Sequence, residues 1–444
     1  MKRSIGLALL LSILLTFARP AVAALPPAPH KKLIVRTVLG PLGLQGVCFL
    51  GLCKVVQSLD GTIGQLFLLD VPGLLDVNVV ANILSSVPGI LNVEVDRTLS
   101  LRPQLEGITF LRSGLWQQDQ VNYAGTTVWS GYMNQPPAQL IGVDRARSAF
   151  NVSGSGIVAD IDTGVDPNHP ALRGVLLPGY DFTRNQPGAS ELLDLTQPLA
   201  PVCGQHCQQA ARVNQSTAAM LDQSTAAMLD GTFFADFGHG TEVVGVVHLV
   251  APTAKILPLK AFRADGTGNL SDILRAIYYA VQNRANVINM SFDFTSYSKE
   301  LDTALSNATQ HNVICVASAG NNGRHELVYP AALSNVMGIA STSDFDTRSY
   351  FSNYGADLVW ITAPGEQIIT TYPFSSYAVA SGTSFSSPFV SGSAALLLQL
   401  QPNITPAQAA LVLANAKTLT PELGNGRLDI VRALQSIPSR SESE

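Results

Sequence analysis

The chain has 444 residues, 46% of them hydrophobic and only 13% charged, with a formal net charge of -5. That length supports a large core and two or three domains, and so mild a charge gives no reason to expect nucleic acid or an anionic membrane as partner. At the N-terminus Lys2 and Arg3 precede an apolar run from Ile5 to Ala18, and Ala21-Val22-Ala23 supplies small residues for cleavage. This is the pattern of a secretory signal over 1–23. The competing reading is a membrane anchor, but Arg19 and Pro20 cut the run too short to span a bilayer. An exported protein is therefore expected, extracellular or periplasmic, with no membrane association once the signal is removed. Its five cysteines then meet an oxidising compartment. Cys48 with Cys53, and Cys203 with Cys207, could each close a local disulfide. Cys203, His206 and Cys207 could instead hold a metal, though no fourth ligand is evident. Cys315 lies in an apolar run and reads as a small core residue.

From Lys32 to Asp96 the pattern is that of a small α+β unit. Lys32–Thr37, Gln65–Val71 and Ile90–Val95 read as strands, and Asp76 as the cap of a helix carrying Val79, Val80, Ile83 and Leu84 on one face. Residues from about 100 to 140 are rich in Gln, Gly and Pro without a sustained period and read as a connector. Beyond Gly154 strand and helix alternate, which implies a parallel sheet covered on both faces. Ile157–Ile161, Lys255–Phe262, Asn286–Ser291 and Asn312–Ser318 read as strands, and Ser271 as the cap of a helix with Ile273, Ala276, Ile277, Ala280 and Val281 on one side. Gln215–Asp222 is repeated without change as 223–230. This is a local duplication in a surface loop, too short for a repeat array, and carries no assigned chemistry.

Near the C-terminus, Gly382-Thr383-Ser384-Phe385-Ser386-Ser387-Pro388 runs into the apolar stretch Val390–Leu400. Pro388 fits the first turn of a helix, and the stretch beyond it leaves almost no polar face, so the helix should be buried. A serine at the mouth of such a helix sits among unpaired N–H groups and the positive end of the helix dipole, where an anion forming beside it is stabilised.

This heptapeptide resembles the nucleophile motif of the subtilisin-like serine peptidases. Fragments similar to the family's other motifs stand upstream in its order Asp, His, Ser. Asp162 lies in Ile161-Asp-Thr-Gly-Val-Asp166, His239 in Phe237-Gly-His-Gly-Thr-Glu-Val-Val-Gly245, and Asn321 in Ala319-Gly-Asn-Asn-Gly323. The resemblance implies Ser384 as nucleophile, His239 as base, Asp162 as its orienting acid, and Asn321 as an oxyanion donor beside the Ser384 N–H. Asp265-Gly266-Thr267-Gly268-Asn269 resembles the strand that pairs with extended substrate, and Ser291, Phe292 and Asp293 occupy the start of the specificity-pocket segment. Phe351–Gly355, Thr362–Gly365 and Gly424–Asp429 resemble further landmarks, so the likeness covers about 140–435.

The fold class expected is α/β, with a subtilisin-like domain over 141–435. A propeptide-like α+β domain over 24–105, a connector with the processing site over 106–140 and a polar tail over 436–444 complete the chain. The resemblance implies polypeptide substrates, the chain's own propeptide as intramolecular inhibitor, and a monomer. It requires no cofactor and no metal, although structural calcium is frequent in the family; no ligand set is assigned. Two other readings stand beside it. A binding protein that kept the fold and lost catalysis should show damage to the triad, and none is visible. An ester-specific serine hydrolase is the second.

Three departures from the family pattern matter. The spacing from Asp162 to His239 is wide, and Phe292-Asp293-Phe294 stands where glycines usually line the pocket. No side-chain preference is therefore predicted, Asp293 being the one pointer to a basic residue. Asp160 replaces an apolar residue two positions before Asp162, on the same side of the strand. A like charge so close would raise the pKa of one of them, the alternative being a solvated or hydrogen-bonded strand carboxylate.

Overall fold

The structure is a computed structural model that describes residues 31–49, 51–101, 117–195 and 236–437. The expected signal, the Cys203/Cys207 pair, the duplicated octapeptides and the chain beyond 437 lie outside those residues.

An N-terminal unit comprises β1 (Lys31–Thr37), α1 (Gly40–Cys48), β2 (Lys54–Ser58), β3 (Leu66–Val71), α2 (Val77–Ser85) and β4 (Ile90–Val95). Its strands form a sheet in the order β2-β3-β1-β4, antiparallel at each pairing. Apolar residues alternating inward from these strands meet Leu44, Val80 and Leu84 of the helices in a separate core. Asp76 caps α2 as expected, accepting the Asn78 and Val79 N–H groups, and Cys48 is bonded to Cys53. A short strand, β5 (Thr98–Ser100), then leaves this unit.

The segment read as a connector is partly structured. β6 (Gln120–Tyr123) and β7 (Thr126–Trp129) form a hairpin, followed by α3 (Ser130–Met133), α4 (Pro136–Leu140) and α5 (Val143–Phe150). Tyr123, Val128 and Tyr132 are buried in the main core, so residues from 120 on belong to the larger domain. Their burial rests on a few aromatic and β-branched anchors among polar residues, which leaves no period to read.

That domain continues with β8 (Ile157–Asp162), β9 (Tyr180–Asp181), β10 (Gln186–Pro187), a 3-10 turn at Glu191–Leu195, α6 (His239–Val250), β11 (Lys255–Lys260), β12 (Thr267–Asn269) and α7 (Leu270–Gln282). There follow β13 (Val287–Met290), α8 (Lys299–Gln310), β14 (Ile314–Ser318), β15 (Met337–Thr342), β16 (Ile361–Pro364), β17 (Ile368–Tyr372), β18 (Ser376–Ala380), α9 (Thr383–Leu400), α10 (Pro406–Leu413) and α11 (Ile430–Gln435). The sheet has the order β10-β9-β11-β8-β13-β14-β15-β16 and is parallel except at the β10 edge. Alternation along its strands feeds two cores. Val158, Val287, Val316 and Ile339 face α6 and α9, whereas Ala159, Ile161, Ile288 and Met290 face α7 and α8. The α/β expectation, with helices on both faces, agrees with this arrangement.

Ser271 does not cap α7. Asn269 holds the cap position without a side-chain capping bond, and Ser271 stands inside the first turn. Its N–H and hydroxyl are instead taken by Asp96 of the N-terminal unit, at 2.9 and 2.8 Å. Glu94 does the same for α8, accepting the Glu300 N–H at 3.0 Å and the Ser298 hydroxyl at 2.8 Å. Two helix N-termini, each favouring a carboxylate, are thus filled by acids from the other unit. Arg36 adds an ion pair to buried Glu300 at 2.6 Å.

Candidate active site

Asp162 ends β8 at the carboxyl edge of the parallel sheet, where open α/β sheets place their ligands. Gly164 then turns the chain with φ +102° so tightly that an added Cβ would lie 2.5 Å from the Ala189 carbonyl oxygen. His239 is the first residue of α6, and Gly240 beside it leaves room for the Gly164 carbonyl, which a Cβ would meet at 2.0 Å. These two glycines let the helix that begins at His239 approach the turn after Asp162. The result is a buried contact, with His239 Nδ1 2.7 and 2.9 Å from the two Asp162 carboxylate oxygens.

Ser384 occupies the first turn of α9, whose residues are buried from Thr383 through Leu398. The ring of the next residue, Phe385, lies 6.0 Å from that of His239. The Ser384 hydroxyl donates to the Ser291 carbonyl at 3.2 Å, and no hydrogen bond joins it to His239 among the described residues. Rotation about its Cα–Cβ bond re-aims the hydroxyl, and catalytic hydrogen bonds commonly tighten only when substrate is bound. Pro388 stands in the second turn of α9, not the first. Lacking an N–H, it leaves the Ser384 carbonyl without its helical partner. Ser291 fills the gap, its hydroxyl donating to that carbonyl at 2.9 Å.

Asn321 is fixed by its oxygen, which accepts the N–H and the hydroxyl of Thr383, both at 2.9 Å. Its amide donors are thereby left for the side facing Gly382, where Nδ2 would stand 3.5 Å from an added Cβ. Thus Asp162 and His239 are joined directly, Asn321 is tied to the residue preceding Ser384, and Ser384 stands beside the residue that packs on His239.

Among the expected substrate residues, Asp265 is exposed and holds the Thr267 N–H and hydroxyl at 2.9 and 2.6 Å. Gly266, Thr267 and Gly268 form the edge on which β5 lies antiparallel, Ser100 opposite Thr267 and Leu99 opposite Gly268, with the Leu101 N–H donating to the Gly266 carbonyl at 2.8 Å. Phe292 is packed in the core against Phe262 and Phe294. Asp293 is buried beside Gly320, its carboxylate carbon 3.2 Å from where a Cβ on that glycine would stand.

The charge around His239 is heavily acidic. Burial pulls its pKa down, but the charge and hydrogen bond of Asp162, then Asp236 and Glu242, outweigh this and carry it up to about 9. Asp236, three residues earlier, is raised by burial to about 7, with His239 opposing and Asp162 adding. Glu242 is fully buried and held well above the usual carboxylate range, by burial first. Asp160 is hydrogen-bonded, as one sequence reading had it, to Asn289 at 3.0 Å. Its pKa is nevertheless raised well above normal, by burial first and then by Asp162. Sequence reading missed Glu191, Asp236 and Glu242. Glu242 was legible as an acid one helical turn after His239, whereas Glu191 carries no spacing signal. Among the described residues no group of three or more His, Cys, Asp or Glu side chains could hold a metal.

An Asp–His pair beside a serine at the carboxyl edge of a parallel sheet is the arrangement of a serine hydrolase. A family model described as the subtilase family matches residues 154–430, and the chain belongs to that family. It is 34% identical over 271 residues to a thermophilic serine proteinase of Bacillus sp. (strain AK1), covering 61% of this chain and 58% of that one. It is 38% identical over 190 residues to subtilisin BL of Lederbergia lenta, covering 41% and 70%, and 34% identical over 255 residues to thermitase of Thermoactinomyces vulgaris, covering 57% and 79%. The crystal structure of a lanthipeptide protease shares the fold, with a TM-score of 0.54 at 22% identity over 68% of this chain and 95% of that one.

Proposed function

We propose that the protein is an exported serine endopeptidase, made as a precursor that its own N-terminal unit holds inactive. The observation that carries this reading is the buried His239–Asp162 pair next to a serine at the mouth of a buried helix. With Nδ1 engaged by Asp162, His239 presents Nε2 to take the proton from Ser384 as its hydroxyl attacks the peptide carbonyl. The oxyanion falls to the Ser384 N–H, at the positive end of α9, and to the amide of Asn321. His239 then returns the proton to the departing amine, and water hydrolyses the acyl-enzyme through the same groups in reverse.

Inhibition by the N-terminal unit is supported by β5. It occupies the β12 edge as an added strand, the main-chain mode by which extended peptides bind. The acids at the starts of α7 and α8 hold the rest of the unit against the enzyme domain.

The test compares wild type with Ser384→Ala, both expressed with the signal removed, following precursor size and cleavage of a peptide and of a matched ester. Wild type should shorten and cleave peptide, and S384A should do neither. Equal processing and cleavage in both would end the proposal, and turnover of the ester alone would replace it with an esterase.

A further inference from the structure

Between the two segments that carry the acid and the base lies another buried carboxylate. Glu191 is fully buried in the 3-10 turn Glu191–Leu195. One of its oxygens accepts the N–H of Gly238, the residue before His239, at 2.9 Å, and the hydroxyl of Thr163, the residue after Asp162, at 3.3 Å. The other accepts the hydroxyl of Thr241, two residues after His239. Thr163 in turn accepts the Gly240 N–H at 2.9 Å, and Thr241 the Asp166 N–H at 2.8 Å. The carboxylate therefore ties the turn that presents the acid to the helix start that presents the base.

The turn bearing Glu191 is itself anchored. Asp194, three residues on, takes the ammonium of fully buried Lys260 at 2.8 Å and pairs with Arg184. Lys260 also donates to the Thr163 carbonyl at 2.6 Å, so Thr163 is held both by Glu191 and by the lysine that anchors the Glu191 turn. In addition, Val165 donates to the Ala189 carbonyl at 2.8 Å. A buried carboxyl is costly unless its hydrogen bonds are met, and every partner of this one belongs to the frame of the Asp162–His239 contact. From this geometry, and resting on the hydrolase reading above, we infer that Glu191 is a positioning residue that sets the distance and orientation of His239 relative to Asp162. It touches neither substrate nor the reacting atoms. Its effect arises because a misplacement of about 1 Å in such a site costs on the order of 100-fold in rate.

The experiment measures kcat and KM on a fluorogenic peptide for wild type, Glu191→Ala and Glu191→Gln. Rates are expressed per active site titrated with a fluorophosphonate, so that losses in folding or maturation drop out. E191A should lose at least about tenfold in kcat with KM within about twofold, and E191Q, which keeps the shape and one acceptor oxygen, should recover part of that loss. A kcat per titrated site within about threefold of wild type in E191A would overturn the inference. So would E191Q no faster than E191A, or E191Q yielding no titratable site, since a folding requirement would then account for the acid. A wild type that neither cleaves peptide nor reacts with the probe would sink the hydrolase reading, and the role of Glu191 with it.

Discussion

Helix α6 carries a histidine near each end, both buried, and the two are driven in opposite directions. His239 at the N-terminus is pushed up to about 9, whereas His248 in the last turn is pushed down to about 3 by burial, with His169 and Arg147 adding to the effect. The helix dipole alone would favour the opposite order, since its C-terminal end stabilises a cation. That contribution, about 0.3–1 kcal/mol at exposed ends, is outweighed at both positions. His248 meets the Tyr132 hydroxyl at 3.1 Å and packs edge-on to Tyr123, and among the described residues no acid offsets its desolvation. His239 has Asp162 in contact and Asp236 and Glu242 close by. Burial makes a histidine sensitive, and its neighbours decide the sign.

Breaking the contrast outright means removing each ring in turn. His239→Ala should lower kcat by about 10⁴-fold or more, read on peptide per folded molecule. His248→Leu should leave kcat/KM within about twofold and change unfolding free energy by no more than about 1–2 kcal/mol in denaturant titration. A comparable loss of activity in both would erase the distinction.

The next effect sharpens it. A general base must be neutral, so kcat/KM should rise with pH as His239 loses its proton near 9. Asp236 is ionised in that range and helps hold the proton. Asp236→Asn should therefore move this acid limb to lower pH, by about one unit. A limb that stays put or moves upward would show that Asp236 does not act on the base through charge. The smallest expected effect belongs to Asp160. Because its carboxyl stays protonated well above the usual range, it adds negative charge near His239 only late in the titration. Asp160→Val should shift the same limb downward by less than a unit, and an unchanged pH profile would remove Asp160 from the electrostatics of the site.

The residues of the candidate site were legible because each sits in a short contiguous motif at a strand end or helix start. Period two likewise placed Asp160 and Asp162 on one side of their strand. What escaped the reading had a common physical cause: it depends on partners distant in the chain. The acid bonded to Ser271 is Asp96, from the other unit. The hairpin of β6 and β7 is held by burial of Val128 in the main core and of Tyr123 against α6, not by a pattern of its own. Pro388 could be placed in a helix, but its turn could not, because Ser291 supplies the bond that the proline omits. Glu191 had no signal, since an acid in a five-residue turn resembles any surface acid until its partners are known.

Ser291, which follows β13, ties the proline turn of α9 to the sheet. With its residues enclosed on all sides through Leu398, that helix should have amide hydrogens among the slowest in the molecule to exchange with solvent. The proposed nucleophile therefore rides on one of the most enclosed helices of the fold. In the proposed peptidase, motion during turnover is then expected in the peptide and in the edge strand β12 rather than in α9.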